Sequence, residues 1–320
     1  MALFLSENDV RQLLTMEMAL AGVESAHRDL ALGQALDTPR QRSRLPQTVL
    51  HILQGALPAQ GILGYKAYTS NRNGNRFLVH LFDAASGKLR AVLAADTLGM
   101  MRTAAASGVA ARWLARPDSR VAGVFGAGWQ AEGHVRALCA VLPLERVKVF
   151  SRRADKLREF CERLSAVTGV AVEPAASAEA TVRGSDIVGT VTSAAQPLFD
   201  AEWLEAGAHI NAAGSNALIR QELSEAAIRR CRLIAVDSVP TALAEAGDLL
   251  PLLEKGRLQL RQLVELGDII ISRQRGRETP EDITLFESQG MAIQDLAVAA
   301  RVVAAAEAAG IGGTWPLAEV

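Results

Sequence analysis

Val121-Ala-Gly-Val-Phe-Gly-Ala-Gly-Trp-Gln-Ala131 is the stretch whose reading decides the fold. A short apolar run of strand character ends at Gly126, and Gly126, Gly128 and Ala131 fill the three small positions of a G-x-G-x-x-G/A pattern. Each has its own task. The first glycine permits the tight strand-to-helix turn and the second lets the backbone approach a pyrophosphate. The small third residue lets the helix sit close to the strand. The N-terminus of the helix that follows then offers unpaired N–H groups and a partial positive charge to phosphates. Taken alone, the pattern fits a structural turn equally well. Its context points to dinucleotide binding: a predicted strand precedes it, a predicted helix over 130–142 follows, and a second strand is expected at 146–150.

Outward from this loop, a helical stretch at 156–166 and further short apolar strands at 187–191, 209–212 and 233–236 continue the alternation. Such alternation predicts parallel strands with crossover helices, a doubly wound α/β sheet. Upstream the texture differs. Apolar stretches at 48–53, 63–69, 77–82 and 89–94 are broken by Pro58, Asn71-Arg-Asn-Gly-Asn75 and Ser86-Gly87, which are strand and hairpin signals. Residues 97–114 return to helical composition, and Arg116-Pro117-Asp118-Ser119 marks a boundary. Residues 6–34 read as one helix, with Ser6 and Asp9 spaced like a capping box and Met16, Leu20, Val23, His27 and Leu30 on one face. An Ala/Val-rich helix over 290–309 is placed to return to the first domain.

The chain has 320 residues, 49% of them hydrophobic and 22% charged, enough for two domains with ordinary cores. A net charge of −1 gives no electrostatic case for nucleic acid or an anionic membrane. Cys139, Cys161 and Cys231 stand far apart, against a disulfide framework or a structural zinc site and in keeping with a reducing cytoplasm. The opening MALFLSENDV lacks the basic start of a signal peptide, and no uncharged apolar run reaches the ~18 residues of a membrane span. A cytoplasmic protein acting on a small molecule is expected.

Ser151-Arg152-Arg153 follows the second strand, where an NAD-selective site carries Asp or Glu for the ribose 2′-hydroxyl; no carboxylate occurs before Asp155. Two arginines suit a 2′-phosphate, so NADP(H) is favoured, with NAD(H) the alternative; two arginines solvating a loop is the plainer explanation. Only five lysines stand against twenty-nine arginines. One of the five, Lys66 in Gly64-Tyr-Lys-Ala-Tyr68, sits among apolar neighbours in a predicted strand. Desolvation there lowers a lysine pKa and fits it for proton donation, although a snorkelling edge lysine has the same signature. Arg102 is the sole charge between Asp96 and Arg112 on a small, apolar helix. Without a carboxylate nearby in sequence, it is a candidate to bind a substrate carboxylate. His27, His80 and His134 have nothing metal-like around them, Met100 and Met101 read as packing, and Asp237 and Asp248 receive no role.

Four ordered motifs carry a family resemblance: Met101-Arg-Thr-Ala-Ala-Ala-Ser107, Gly126-Ala-Gly-Trp-Gln130, His209-Ile-Asn-Ala-Ala-Gly-Ser-Asn216 and Ser288-Gln-Gly-Met-Ala-Ile-Gln-Asp295. Together they resemble the ornithine cyclodeaminase/mu-crystallin family over nearly the whole chain. The resemblance implies an α/β protein with a Rossmann-type doubly wound parallel sheet at 116–295. It further implies a discontinuous α+β substrate-binding and dimerisation domain at 1–115 and 296–320, and a homodimer. By position, Lys66 matches the family's active-site lysine, Arg102 its carboxylate-binding arginine, and Arg40 the second such arginine, with Arg42 and Arg44 as neighbouring alternatives. Gly126, Gly128, Gln130, Ser151, Arg152 and Arg153 belong to the cofactor loops. Thr103, Thr192, Ser193, Ser288, Gly290 and Met291 are implied near the phosphates or the nicotinamide.

The departure is at Asn216, where cyclodeaminases resemble one another in carrying aspartate. Asn is nearly isosteric but takes no proton and cannot be a general base. The stretch His51-Ile-Leu-Gln-Gly-Ala56 also lacks the acidic residue cyclodeaminases tend to have. Both departures favour the reductase branch, with hydride transfer between NAD(P)H and Cα of a small imino, amino or keto acid, Lys66 at the substrate's nitrogen or carboxyl oxygen, and Asn216 hydrogen-bonding nearby. A lyase with tightly held NAD+, or a non-catalytic NADPH-dependent ligand carrier, are the alternatives.

Overall fold

The structure is a computed structural model that describes residues 2–153 and 156–315. In chain order, β1 (Ala2–Leu5) leads into α1 (Glu7–Leu13) and α2 (Met16–Ala31). The strands β2 (Leu36–Arg44), β3 (Val49–Leu57), β4 (Ile62–Asn71), β5 (Gly74–Asp83) and β6 (Leu89–Ala94) follow. Next come α3 (Asp96–Leu114), β7 (Val121–Phe125), α4 (Trp129–Val141), β8 (Arg146–Phe150), α5 (Leu157–Thr168), β9 (Ala171–Pro174), α6 (Ala178–Val182) and β10 (Ile187–Thr190). Then β11 (His209–Ala212), α7 (Glu225–Arg230), β12 (Leu233–Val236), α8 (Val239–Glu245), α9 (Leu250–Glu254), β13 (Leu263–Glu265), α10 (Leu266–Ile270) and β14 (Thr284–Glu287). After them come α11 (Ala292–Ala309) and β15 (Gly313–Trp315). The chain forms two compact units, residues 1–102 with 290–320, and residues 103–289.

In the first unit a sheet runs β15-β1-β6-β5-β4-β3-β2, with β1 parallel to β6 and all other neighbours antiparallel. One face is covered by α11. Two glycines allow the close approach: a Cβ on Gly55 would lie 2.8 Å from Ile293 Cγ2, and one on Gly64 only 2.1 Å from the His80 carbonyl oxygen and 3.1 Å from Leu296 Cδ2. On its other side α11 meets α2, where a Cβ on Gly22 would lie 2.9 Å from Val298 Cγ2. Held between sheet and helix, α11 is buried nearly all round, which is why its sequence is apolar without a clear polar stripe.

The opposite face carries Leu50, Ile52, Leu63 and Leu78, all more than a third exposed, beside a Tyr65 ring stacked on His80 and tilted against Phe82. An antiparallel sheet with one solvated face normally turns polar residues outward, so this apolar face stands out. The expectation of one helix over 6–34 is corrected: Leu14 adopts an extended backbone and Thr15 caps a second helix by accepting from the Met18 N–H. The capping box of Ser6 and Asp9 is present. The arginine-rich β2 shows no apolar alternation because it is an edge strand, bulged near Pro39, whose register is set by pairing with β3.

The second unit holds a parallel sheet in the order β13-β12-β14-β11-β10-β7-β8-β9. The chain steps outward from β7 to β8 and β9, then restarts on the other side of β7 with β10 and β11, which makes a topological switch point beside β7. Alternate residues of β7 point into two different cores: Phe125 packs with Val188, Ile210 and Leu285, and Val124 with Ala131, Val147 and Leu164. This is the Rossmann-type doubly wound arrangement. Among the described residues no helix is long and apolar enough to cross a membrane.

Candidate active site

Strand periodicity turns Ile62, Gly64 and Lys66 of β4 toward the face covered by α11. Register places Lys66 between Leu53 of β3 and Val79 of β5, both buried. Its ammonium therefore enters an apolar layer with 2% of the residue exposed. There it meets Asp295, in the first turns of α11, donating to Oδ1 at 2.9 Å and Oδ2 at 3.0 Å. Arg102 of α3 donates from Nε to the same Oδ1 at 3.0 Å and from Nη1 to Gln294 Oε1 at 3.0 Å. Behind it, Gln294 Nε2 lies 3.0 Å from His27 Nε2, and Asp37 of β2 accepts from the Ile293 N–H at 3.1 Å. One fully buried carboxylate thus serves two cations, at a helix N-terminus whose dipole favours an anion.

Burial pulls the Lys66 pKa down to about 7, and the nearby charges of Arg102 and Arg40 add to the fall, opposed by Asp295. Its Nζ lies 5.8 Å from the Tyr68 ring centre and 5.7 Å from that of Phe77, with the Arg40 guanidinium 6.0 Å from the Tyr68 ring. His51 stacks on Tyr68 with centroids 4.1 Å apart, and its Nε2 is 2.9 Å from Ser70 Oγ. Burial, reinforced by Arg40, Arg42 and Arg44, lowers the His51 pKa to about 4, so the ring is neutral near pH 7. Lys66, Arg102 and Arg40 are thus brought together within the first unit, where Gly290 and Met291 also lie. Gly290, at φ +82°, packs so closely that an added Cβ would sit 2.4 Å from Arg102 Nη1.

In the second unit, Gly126 has φ +117° and donates its N–H to the Phe150 carbonyl at 2.9 Å. Gly128 is the N-cap of α4 with no side-chain cap, and a Cβ built on it meets nothing within 4 Å. Ala131 is fully buried beneath. Uncapped helix N–H groups over open space, with a small residue below, fit a dinucleotide pyrophosphate. Ser151, Arg152 and Arg153 follow β8, with both arginines exposed; Asp155 lies outside the described residues. Thr192 and Ser193 follow β10, and Asn216 is half-buried on the loop after β11. Thr103 is half-buried on α3, and Ser288 donates to Asp237 at 3.1 Å. Gln130 lies in the first turn of α4, its carbonyl 2.8 Å from His134 Nδ1.

Sequence reasoning missed Asp295 as the partner of both cations, because it lies 229 residues from Lys66 and 193 from Arg102. A signal was present. Asp295 is the only acid in Ala292-Ile-Gln-Asp-Leu-Ala-Val-Ala-Ala300, the same isolation that singled out Arg102. Glu222 and Glu287, both buried in the second unit, were not singled out, and Asp248, buried there as well, was given no role.

A model of the ornithine cyclodeaminase/mu-crystallin family matches residues 1–310. A Delta(1)-pyrroline-2-carboxylate reductase of Bacillus cereus is 33% identical over 322 residues, covering 97% of this chain and 98% of the relative. Alanine dehydrogenase of Archaeoglobus fulgidus is 32% identical, covering 93% of this chain and 92% of the relative. Among solved structures, Delta(1)-pyrroline-2-carboxylate reductase of Thermococcus litoralis, in complex with NADH and L-proline, matches with a TM-score of 0.94. Its identity is 29%, and the match covers 98% of this chain and all of that one.

The shared carboxylate gives a direct prediction. Asp295→Asn leaves two cations buried without their counter-charge, and should lower stability at pH 6 by about 3–5 kcal/mol. Urea unfolding checks it, and a midpoint equal to that of the wild type would show that Lys66 and Arg102 do not depend on Asp295.

Proposed function

The chain belongs to the ornithine cyclodeaminase/mu-crystallin family, and on that premise we propose that it is an NAD(P)H-dependent oxidoreductase of the C–N bond. It reduces a small α-imino acid and, in reverse, oxidises the corresponding α-amino acid. The first unit is the substrate-binding and dimerisation domain, and the second binds the dinucleotide. The observation that carries this reading is the buried lysine with a near-neutral pKa, paired to an aspartate that also fixes an arginine.

Arg102 and Arg40 hold the substrate carboxylate. With Nε on Asp295 and Nη1 on Gln294, Arg102 has a fixed plane, so binding loses little further side-chain entropy. A nicotinamide dinucleotide, held by the glycine loop, would supply the hydride that Cα receives. Lys66 supplies the proton: two of its ammonium hydrogens point to Asp295 and the third goes to the substrate nitrogen as the C=N bond becomes C–N. In the oxidative direction the neutral amine takes that proton back. Asn216 hydrogen-bonds to the substrate and, as an amide, stays uncharged throughout. Asn216 is an amide and the His51 imidazole is neutral near pH 7, so neither of them pairs with the second ammonium of a diamino acid. Reductase chemistry is favoured over cyclodeamination on that ground.

Gly126, Gly128 and Gln130 hold the pyrophosphate. Thr103, Thr192, Ser193, Ser288, Gly290 and Met291 serve the phosphates or the nicotinamide. Arg152 and Arg153 take a ribose 2′-phosphate, so NADP(H) is preferred to NAD(H). The apolar outer face of the first unit's sheet is covered by a second copy of the chain.

Lys66→Ala should cut turnover about 10²–10⁴-fold while dinucleotide binding, followed by fluorescence, persists; turnover within tenfold removes Lys66 from the mechanism. Because the ammonium is the donor, reductive kcat/KM should fall as pH rises through about 7, with oxidation rising over the same range. A substrate carboxylate beside Lys66 favours its charged form, so the break in kcat should lie at higher pH than the break in kcat/KM. Arg153→Glu should raise KM for NADPH and leave that for NADH nearly unchanged, and a wild type that prefers NADH overturns the cofactor assignment. Leu63→Glu should convert a dimer to monomers in sedimentation velocity; a monomeric wild type would exclude the proposed pairing.

A further inference from the structure

Glu222 lies outside the loops that follow β10 and β11, yet both are tied to its carboxylate. Oε1 accepts from the Thr192 N–H and from Thr192 Oγ1, both at 2.6 Å, and Oε2 accepts from the Gly214 N–H at 2.8 Å. Thr192 follows β10 and Gly214 follows β11, neighbouring strands whose carboxyl ends lie at the switch-point side of the sheet. The side chain is fully buried. No larger residue fits at Gly214, where a Cβ would be 2.4 Å from Glu222 Cδ and 2.4 Å from the Thr192 carbonyl oxygen. Thr192 in turn sits against the glycine loop: a Cβ on Gly126 would lie 3.1 Å from the Val191 carbonyl oxygen and 3.7 Å from Thr192 Cγ2.

Glu222 is itself anchored. Asp248 Oδ1 accepts from the N–H groups of Glu222 at 2.8 Å and Leu223 at 3.0 Å. The Gln221 N–H donates to the Ala194 carbonyl at 3.0 Å, and the Glu222 carbonyl accepts from the Leu198 N–H at 2.9 Å. Beside it, the Ser215 hydroxyl donates to Glu287.

We infer that Glu222 is a positioning residue that sets the loops after β10 and β11 in their cofactor-binding arrangement before a dinucleotide arrives. The inference rests on the reading that the second unit binds a dinucleotide through Gly126, Gly128 and Thr192. A carboxylate is suited to the task because it only accepts, and three donors converge on it. The amide of a glutamine must point its NH2 at one of those donors, and that loop moves away. Preorganised loops spare the ligand the entropy of ordering them, so the loss appears as affinity.

The test is a fluorescence titration of wild type and Glu222→Gln with NADPH and NADH. The dissociation constant of the preferred dinucleotide should rise at least tenfold. The KM for the imino acid at saturating dinucleotide should stay within twofold, a split that general loosening of the fold does not produce. Hydrogen exchange on the wild type, without cofactor, should find the Thr192 and Gly214 amides as protected as those of β10 and β11; this measurement stands even if the variant fails to fold. A folded Glu222→Gln with affinity within twofold of wild type, or exchange at those amides as fast as in an exposed loop, overturns the inference. A wild type that binds neither dinucleotide overturns the functional reading instead.

Discussion

Asp295 is the constraint on which the first unit's chemistry depends. Taking two cations and one anion out of water costs several kcal/mol per ion, and only close, well-aligned contacts return it. Those contacts exist because α11 approaches the sheet closely enough for a carboxylate in its first turns to reach a strand lysine. That approach depends on the absence of side chains at Gly55 and Gly64 and on Val298 lying against Gly22. Small residues far from any reacting atom therefore set the distance from Lys66 to its partner. The cluster also has a charge left over: with Lys66 protonated, two positive groups share one negative. In the proposed reading, the substrate carboxylate balances it.

What was legible in the sequence follows from which interactions are local. The glycine loop was legible because strand end, turn and helix start are met within eleven consecutive residues. The alternation after it pointed to the parallel sheet, since each crossover is a local unit of strand and helix. Lys66 and Arg102 could be noticed as isolated charges, but the element that pairs them could not. An ion pair across 229 positions leaves no periodic trace. The same holds for Glu222, whose three donors come from two other loops. The helix over 6–34 divided because Thr15 offers its hydroxyl to the Met18 N–H, a local competition that apolar spacing does not register. Strand β2 went unseen because its residues do not alternate, and pairing with β3 alone fixes it.

The two units show different uses of buried carboxylates. In the first, Asp295 faces cations and its charge is matched. In the second, Glu222 and Asp248 face mostly backbone N–H groups, so they act as acceptors that fix loops. Burial raises the pKa of both, which weakens their hold on a proton-free state, while the hydrogen bonds they accept pull the other way. Glu287 lies nearby, fully buried, with its pKa well above the usual carboxylate range through burial and the adjacent Asp248. The hydrogen bonds from Thr192 and Gly214 act on Glu222 in the opposite sense to its burial, favouring its charged form.

In the role proposed for it, Lys66 trades stability for reactivity. In the unfolded chain its pKa is that of an ordinary lysine, 10.5, and in the fold it is about 7. Between those values the unfolded chain binds the extra proton, so this group's contribution favours folding increasingly as pH rises from about 7 to 10.5. Below about 7 both states hold the proton and the full cost of burying the charge is present, offset by Asp295. Proton donation requires the less favourable of these conditions, the charged lysine in an apolar layer. The ion pair with Asp295 makes that state accessible near neutral pH without making it so stable that the proton cannot leave. An exposed lysine would keep its proton too firmly, and a buried one without a partner would not carry it at all.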